Sequence, residues 1–220
     1  MNKAVSTDAS PPRFNWYTGA SLNSHSFESD WTVVGTPVVT VPPFSDSKTD
    51  IRSFAGITFQ PPKGNFSFGL EAGMIGRDLK DTQLDTSGLL LRMIIHDEKS
   101  LVVNVSKSST ANNKIILTGF AGYSELDVTA RGWNDRNGNG EPSPGENSDN
   151  PGNTTRFKSL PGFTLGAGLS FLPSDNFTIR LEQDKTWYKA KTFILDDYPT
   201  YTEKIKPRTE NMAIGLNYKS

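Results

Sequence analysis

The stretch from Phe163 to Phe171 reads Phe-Thr-Leu-Gly-Ala-Gly-Leu-Ser-Phe, with apolar residues alternating strictly with small or polar ones. After the break Leu172-Pro173-Ser174-Asp175, the period resumes in Asn176-Phe-Thr-Ile-Arg-Leu-Glu182. Successive side chains of a strand point to opposite faces, so a two-residue period makes one face wholly apolar. The other face holds Thr164, Gly166, Gly168, Ser170, Arg180 and Glu182. A soluble sheet buries its apolar face in a core. A transmembrane barrel turns that face to lipid and fills its interior with the polar set.

The same alternation recurs along the chain. Phe14, Trp16, Thr18, Ala20 and Leu22 share a face, as do Ile51, Ser53, Ala55, Ile57 and Phe59. Phe66, Phe68, Leu70, Ala72 and Met74 form a third such face, and Met212, Ile214, Leu216 and Tyr218 a fourth. The opposite faces are rich in Gly and small polar groups with an occasional Arg or Glu. That composition suits a narrow lumen better than the outer surface of a soluble sandwich. Pro61-Pro62-Lys63-Gly64 and Leu172 to Asp175 read as tight turns. Long polar loops are expected at 25–50, 78–87, 132–156 and 194–208. Short turns at one rim and long loops at the other are the outer-membrane arrangement. Aromatic residues near strand ends (Trp16, Tyr17, Phe59, Phe66, Phe171, Phe177, Trp187, Tyr188, Tyr218) are expected to form girdles.

One stretch is ambiguous. Leu89, Leu91, Met93 and Ile95 share a face, and so do Leu101, Val103 and Val105, with His96 to Ser100 between them. Two membrane strands here would bring the total to nine, yet bacterial single-chain barrels have even strand numbers. Eight strands are therefore expected. Either 87–107 is one long strand reaching beyond the bilayer, or 97–113 is an extended connector with its own hairpin.

Composition sets bounds. Hydrophobic residues make up only 35% of the chain, low for an ordinary globular core. A net charge of −1 offers no electrostatic case for nucleic acid. The absence of cysteine removes disulfides and thiolate metal sites. No apolar run is long enough for a transmembrane helix, which says nothing about a barrel. Met1 to Arg13 is polar, without a signal-type apolar run, and is expected to be a flexible segment before a barrel domain spanning 14–220.

The residues resemble the small eight-stranded outer-membrane barrels of the OmpA/OmpX type and related porin-like surface proteins. The carriers are Trp16-Tyr-Thr-Gly-Ala20, Gly162 to Phe171, Asp175 to Glu182 and Ala213-Ile-Gly-Leu-Asn-Tyr218. The resemblance implies a closed antiparallel up-and-down barrel in a Gram-negative outer membrane, with short periplasmic turns and variable surface loops. Its implied partners are outer-membrane lipid and lipopolysaccharide, with a surface or host ligand at the loops. Roles in that family include anchoring, adhesion, small pores and lipid chemistry. Its chains usually end on an aromatic residue, whereas here Lys219 and Ser220 follow Tyr218. Either the natural chain continues or that signal is degenerate.

Two constellations carry candidate chemistry. Asp135-Arg-Asn137-Gly-Asn139-Gly140-Glu141-Pro-Ser143-Pro-Gly-Glu146 fits the twelve-residue EF-hand loop pattern. Asp135, Asn137 and Asn139 would offer side-chain oxygens to calcium and Glu141 its carbonyl. Ser143 would bind directly or through water, and Glu146 in a bidentate way. The competing reading is a Gly/Asn/Pro-rich surface loop that matches by composition. The second set is Arg52, Glu71, Arg77, Arg92, Arg180, Glu182 and Asp184, expected as a salt-bridge network in the lumen. Such a network either plugs the barrel or gates a narrow pore. Enzymatic options are thin. His25, between Ser24 and Ser26 with Glu28 close by, and His96, beside Asp97 and Glu98, are the only histidines. No nucleotide-binding or hydrolase fingerprint occurs. The expectation is a non-enzymatic barrel acting through its loops, chiefly 28–50 and 132–156. A narrow pore is the alternative, and a barrel hydrolase using His25 a third.

Overall fold

Each alternating stretch is a strand. The computed structural model describes residues 11–62, 65–109, 114–142, 153–195 and 199–220. The strands are β1 (Arg13–Val34), β2 (Phe44–Gln60), β3 (Phe66–Leu84), β4 (Leu90–Ser108) and β5 (Ile115–Trp133). They continue with β6 (Thr154–Phe171), β7 (Phe177–Tyr188), β8 (Lys191–Phe193) and β9 (Thr202–Lys219). Neighbours pair antiparallel in chain order, and β1 pairs with β9 to close the ring. The short β8 continues the line of β7 along β9, so eight strands make the wall. Residues 1–10, within the expected flexible segment, lie outside the described residues.

The wall has two storeys of opposite polarity. Near the short turns the outward side chains are apolar. Phe14, Trp16 and Leu22 on β1, Leu165, Leu169 and Phe171 on β6, and Ile214 and Leu216 on β9 are all exposed. A nine-residue belt such as Phe163–Phe171 runs roughly 26 Å along its strand. A tilt of about 40° leaves about 20 Å of height, close to the apolar band of a membrane barrel. Inward from this belt point Tyr17, Ser21, Arg52, Glu71, Asn104, Ser124, Thr164 and Glu182. Such a wall is stable only with lipid outside.

Toward the long loops the polarity inverts. Phe27, Trp31, Phe44, Leu79, Leu91, Met93, Ile95, Leu126, Val128 and Ile205 are fully or almost fully buried in one apolar core. The outward positions are now Glu28, Asp30, Lys80, Lys204, Lys206 and Arg208. This upper storey is therefore built for water outside and a dry core inside.

The chain makes that inversion in two ways. On β1 the backbone alternation continues, but the apolar residues move from even positions (14–22) to odd ones (27, 31, 33). The same phase change occurs on β9 between Ile205 and Met212. On β4 and β6 the sequence keeps its phase and the backbone inserts a bulge. The register shifts between Ile95 and Glu98 on β4, and between Leu160 and Phe157 on β6, where Ser159 takes φ 55°. A bulge places two residues opposite one and flips everything beyond it to the other face. Leu91, Met93 and Ile95 therefore point inward while Leu101, Val103 and Val105 face out. Of the two readings of 87–114, one long strand reaching past the bilayer is the one observed.

The upper storey is also no longer a ring. The β2–β3 ladder ends at Arg52–Ile75, and the β6–β7 ladder ends at Gly162–Tyr188. Beyond those points β8–β9–β1–β2 and β3–β4–β5–β6 face each other across the apolar core, as two sheets of a sandwich. At the β2–β3 seam, carboxylates replace the missing ladder. Lys80 N donates to Asp46 Oδ2 (3.0 Å) and Ser45 N to Asp81 Oδ2 (2.9 Å). Several expected loops are consequently strand. Residues 25–34, 44–50, 78–84 and 202–208 belong to β1, β2, β3 and β9, whose upper parts alternate in the opposite phase. Tyr17 and Tyr188, expected in the girdles, are buried because they occupy inward positions.

Candidate functional site

The lumen charges form two layers across the barrel. In the lower one, Glu71 on β3 accepts from Arg52 Nη2 on β2 (3.0 Å) and Arg180 Nη1 on β7 (2.6 Å). Tyr17 on β1 donates its hydroxyl to Glu71 at 3.0 Å, and Arg180 also grips Glu182. The Arg180 guanidinium stacks 4.6 Å above the Phe54 ring, so an aromatic side chain fills the rest of the layer. Opposing glycines make the room: a Cβ on Gly73 would lie 2.4 Å from Arg52 Nη2, and one on Gly166 would lie 2.3 Å from the Phe120 ring. That explains the small inner face.

In the next layer up, Arg77 donates from Nη2 to Glu98 (2.6 Å) and to Asn211 Oδ1 (2.9 Å). Asn211 in turn donates to Asp184 Oδ1 at 2.7 Å. Of the seven residues expected in the lumen, Arg52, Glu71, Arg77, Arg180, Glu182 and Asp184 point into it. Glu98, Tyr17 and Asn211, which the sequence reading did not include, complete the layers. Glu98 escaped notice because the β4 bulge hides its parity.

Arg92 is the correction. Above the bulge its position on β4 faces outward, since Leu91 and Met93 beside it face the core. Arg92 sits 4.9 Å over the Trp133 ring and bonds the carbonyl of Gly140 (3.1 Å) and Glu141 Oε2 (2.7 Å). It pins the loop after β5 against the outer wall. This hydrogen bond, with the charge of Arg92, holds the Glu141 carboxyl below the usual carboxylate range.

That loop is the expected EF-hand-like segment. Asp135 accepts from the backbone N–H groups of Asn139 (3.1 Å) and Gly140 (2.9 Å). Asn137 accepts from Asn139 N (3.0 Å) and Asn139 from Glu141 N (2.8 Å). Gly138 and Gly140 take φ 72° and 70°, open to glycine without strain. Ser143 and Glu146 lie outside the described residues. Among the described residues, no group of three or more His, Asp or Glu side chains is placed to hold a metal ion.

The histidines are apart from each other. His25 is buried inside the barrel, with Nε2 3.5 Å from Asp50. His96 lies on the outer wall at the β4 bulge, bonded to Thr129 Oγ1 at 2.9 Å.

The wall topology, inverted polarity and filled lumen define a membrane-spanning β-barrel. No family model matches the chain. No curated protein matches it either. Among solved structures it is similar to the outer-membrane protease OmpT of Escherichia coli, at 11% identity and a TM-score of 0.51, covering 99% of each chain. It is also similar to Ail, the attachment invasion locus protein of Yersinia pestis, solved with the heparin analogue sucrose octasulfate (13% identity, TM-score 0.45, 92% of this chain and 99% of that one). Neisserial surface protein A is a third (8%, TM-score 0.44, 94% and 97%). The chain has the fold of a closed, eight-stranded antiparallel outer-membrane β-barrel.

Proposed function

We propose that this is a non-enzymatic integral outer-membrane protein that works through its extracellular end rather than as a solute pore. The observation carrying this reading is the apolar sandwich core above two layers of paired charge. Eight strands enclose little more than their own side chains, and here Leu91, Met93, Leu126 and Phe44 occupy the axial exit. The binding surface is then the outer wall of the upper storey with loops 35–43 and 134–142. Lys204 and Lys206, above the belt on β9, suit the phosphates of lipopolysaccharide. The buried position of His25 and the wall position of His96 support the non-enzymatic assignment. Planar-bilayer recording tests the reading. Silence is the expected result. Stable openings that change with charge swaps at Arg52 or Glu71 would establish the pore instead.

A second reading concerns the loop after β5. Its Asx turns present Asp135, Asn137 and Asn139 around a glycine-permitted bend, while Arg92 binds the Glu141 carboxylate. These are oxygen donors of the kind calcium takes. Weak, millimolar-range calcium binding is the proposal, with Ser143 and Glu146 as further ligands. Chelator-sensitive protection of 134–142 in hydrogen exchange supports it; no calcium effect at several millimolar contradicts it.

A further inference from the structure

The opposite end of the barrel holds a chamber that the loop-based function does not use. Between the lower charge layer and the short turns the lumen widens into a cavity of about 310 Å³. Its inner end is closed by Tyr17 and Arg180, which are committed to Glu71 and Glu182. It opens near Asn65, Leu172 and Lys219, at the start of β3 and the ends of β6 and β9. The cavity is therefore a dead-ended pocket of ligand size, with room for roughly ten waters.

Its lining is selective in kind. Carboxamides (Asn15, Gln60, Asn104, Asn217) alternate around it with Ser and Thr hydroxyls contributed by β2 to β7. None of the described lining residues is a carboxylate; of the two cations, Arg180 is paired with Glu71 and Glu182 at the buried end and Lys219 stands at the mouth. Asn217 is almost completely buried, and its Oδ1 has no hydrogen-bond partner in the protein. Amides and hydroxyls both donate and accept, which complements neighbouring hydroxyl groups on a ring. Ile116 and Leu172 offer apolar surface near the mouth for the C–H face of such a ring.

We propose that this chamber binds an uncharged, polyhydroxylated solute of single-sugar size, entering from the side of the short turns. A cation has no carboxylate to replace its hydration, and an acid finds Arg180 already engaged at the buried end and meets a cation only at the rim, in Lys219. The site is shallow enough for exchange and has no uncommitted charge at its buried end, so millimolar affinity is expected.

The test is an NMR titration of the isotopically labelled barrel in detergent micelles, with glucose and N-acetylglucosamine as probes and glucuronate as the charged control. The account expects saturable shifts of the Asn104, Thr118 and Asn217 amides at low-millimolar neutral sugar, and at least tenfold weaker binding of glucuronate. Asn217→Leu should abolish the shifts while leaving the spectrum of the upper storey unchanged; if that variant does not fold, Ser106→Leu serves the same purpose. No saturable shift up to 100 mM sugar would show a chamber holding water only and overturn the proposal. So would shifts that persist in both variants.

Discussion

Arg180 and Glu71 stand 109 positions apart in the chain, and in the lumen Arg180 Nη1 donates to Glu71 Oε2 at 2.6 Å. Glu71 is nearly inaccessible and accepts from Arg52 and Tyr17 as well. Glu71→Gln leaves two arginines short of a counter-charge in the lumen. Breaking a buried pair in this way costs about 3 kcal/mol. Urea unfolding in detergent should show that loss, and the Glu71→Gln/Arg180→Gln double variant should lose less than the sum of the singles. Strict additivity would mean that the contact is not energetically coupled.

The sandwich core makes a separate prediction. Leu91 is fully buried between the two upper sheets. Leu91→Ala should destabilise by about 2–5 kcal/mol. Hydrogen exchange should register the damage in the upper parts of β1, β4 and β9 and spare their belt segments. Uniform loss along each strand would contradict a two-storey molecule.

Acid should release the loop after β5. The Glu141 carboxyl is held low by Arg92, so its contribution to docking is present above the ordinary glutamate range and is lost as pH falls through the depressed value. Limited proteolysis within 134–142 should speed up at low pH. In Arg92→Ala it should be fast and nearly pH-independent.

Glu203 should behave in the opposite sense. Burial raises its carboxyl above the usual range, although Trp31 Nε1 donates to it at 2.6 Å. The folded state therefore holds its proton more tightly than the unfolded chain. Stability should fall as pH rises from the ordinary glutamate value through the raised one. Glu203→Gln should remove that slope and raise the melting temperature at neutral pH. An unchanged pH profile in the variant would rule this out.

How much of this was legible in the sequence depended on which solvent lay outside. The belt faces of 14–22, 66–74, 163–171 and 212–218 follow from alternation alone, as does the inward set led by Glu71 and Arg180. The upper storey did not, because a search for one continuous apolar face treats a phase change as the end of a strand. Phe27, Trp31 and Val33 do share one parity, and that odd-numbered run was the available signal. On β4 the sequence keeps its phase through His96 and Asp97, so no pattern announces the bulge. Alternation alone therefore assigns Arg92 to the inner face, whereas the bulge turns it outward.

One wall meets lipid below the bulges and water above them. The chain has no cysteine, so single cysteines can be introduced and probed in proteoliposomes with a membrane-impermeant thiol reagent. Lys206→Cys and Asp30→Cys should label rapidly, Leu22→Cys and Ile214→Cys should resist, and Leu91→Cys should stay closed in the folded protein. Rapid labelling at Ile214, only four outward positions below Lys206 on the same strand, would contradict the account.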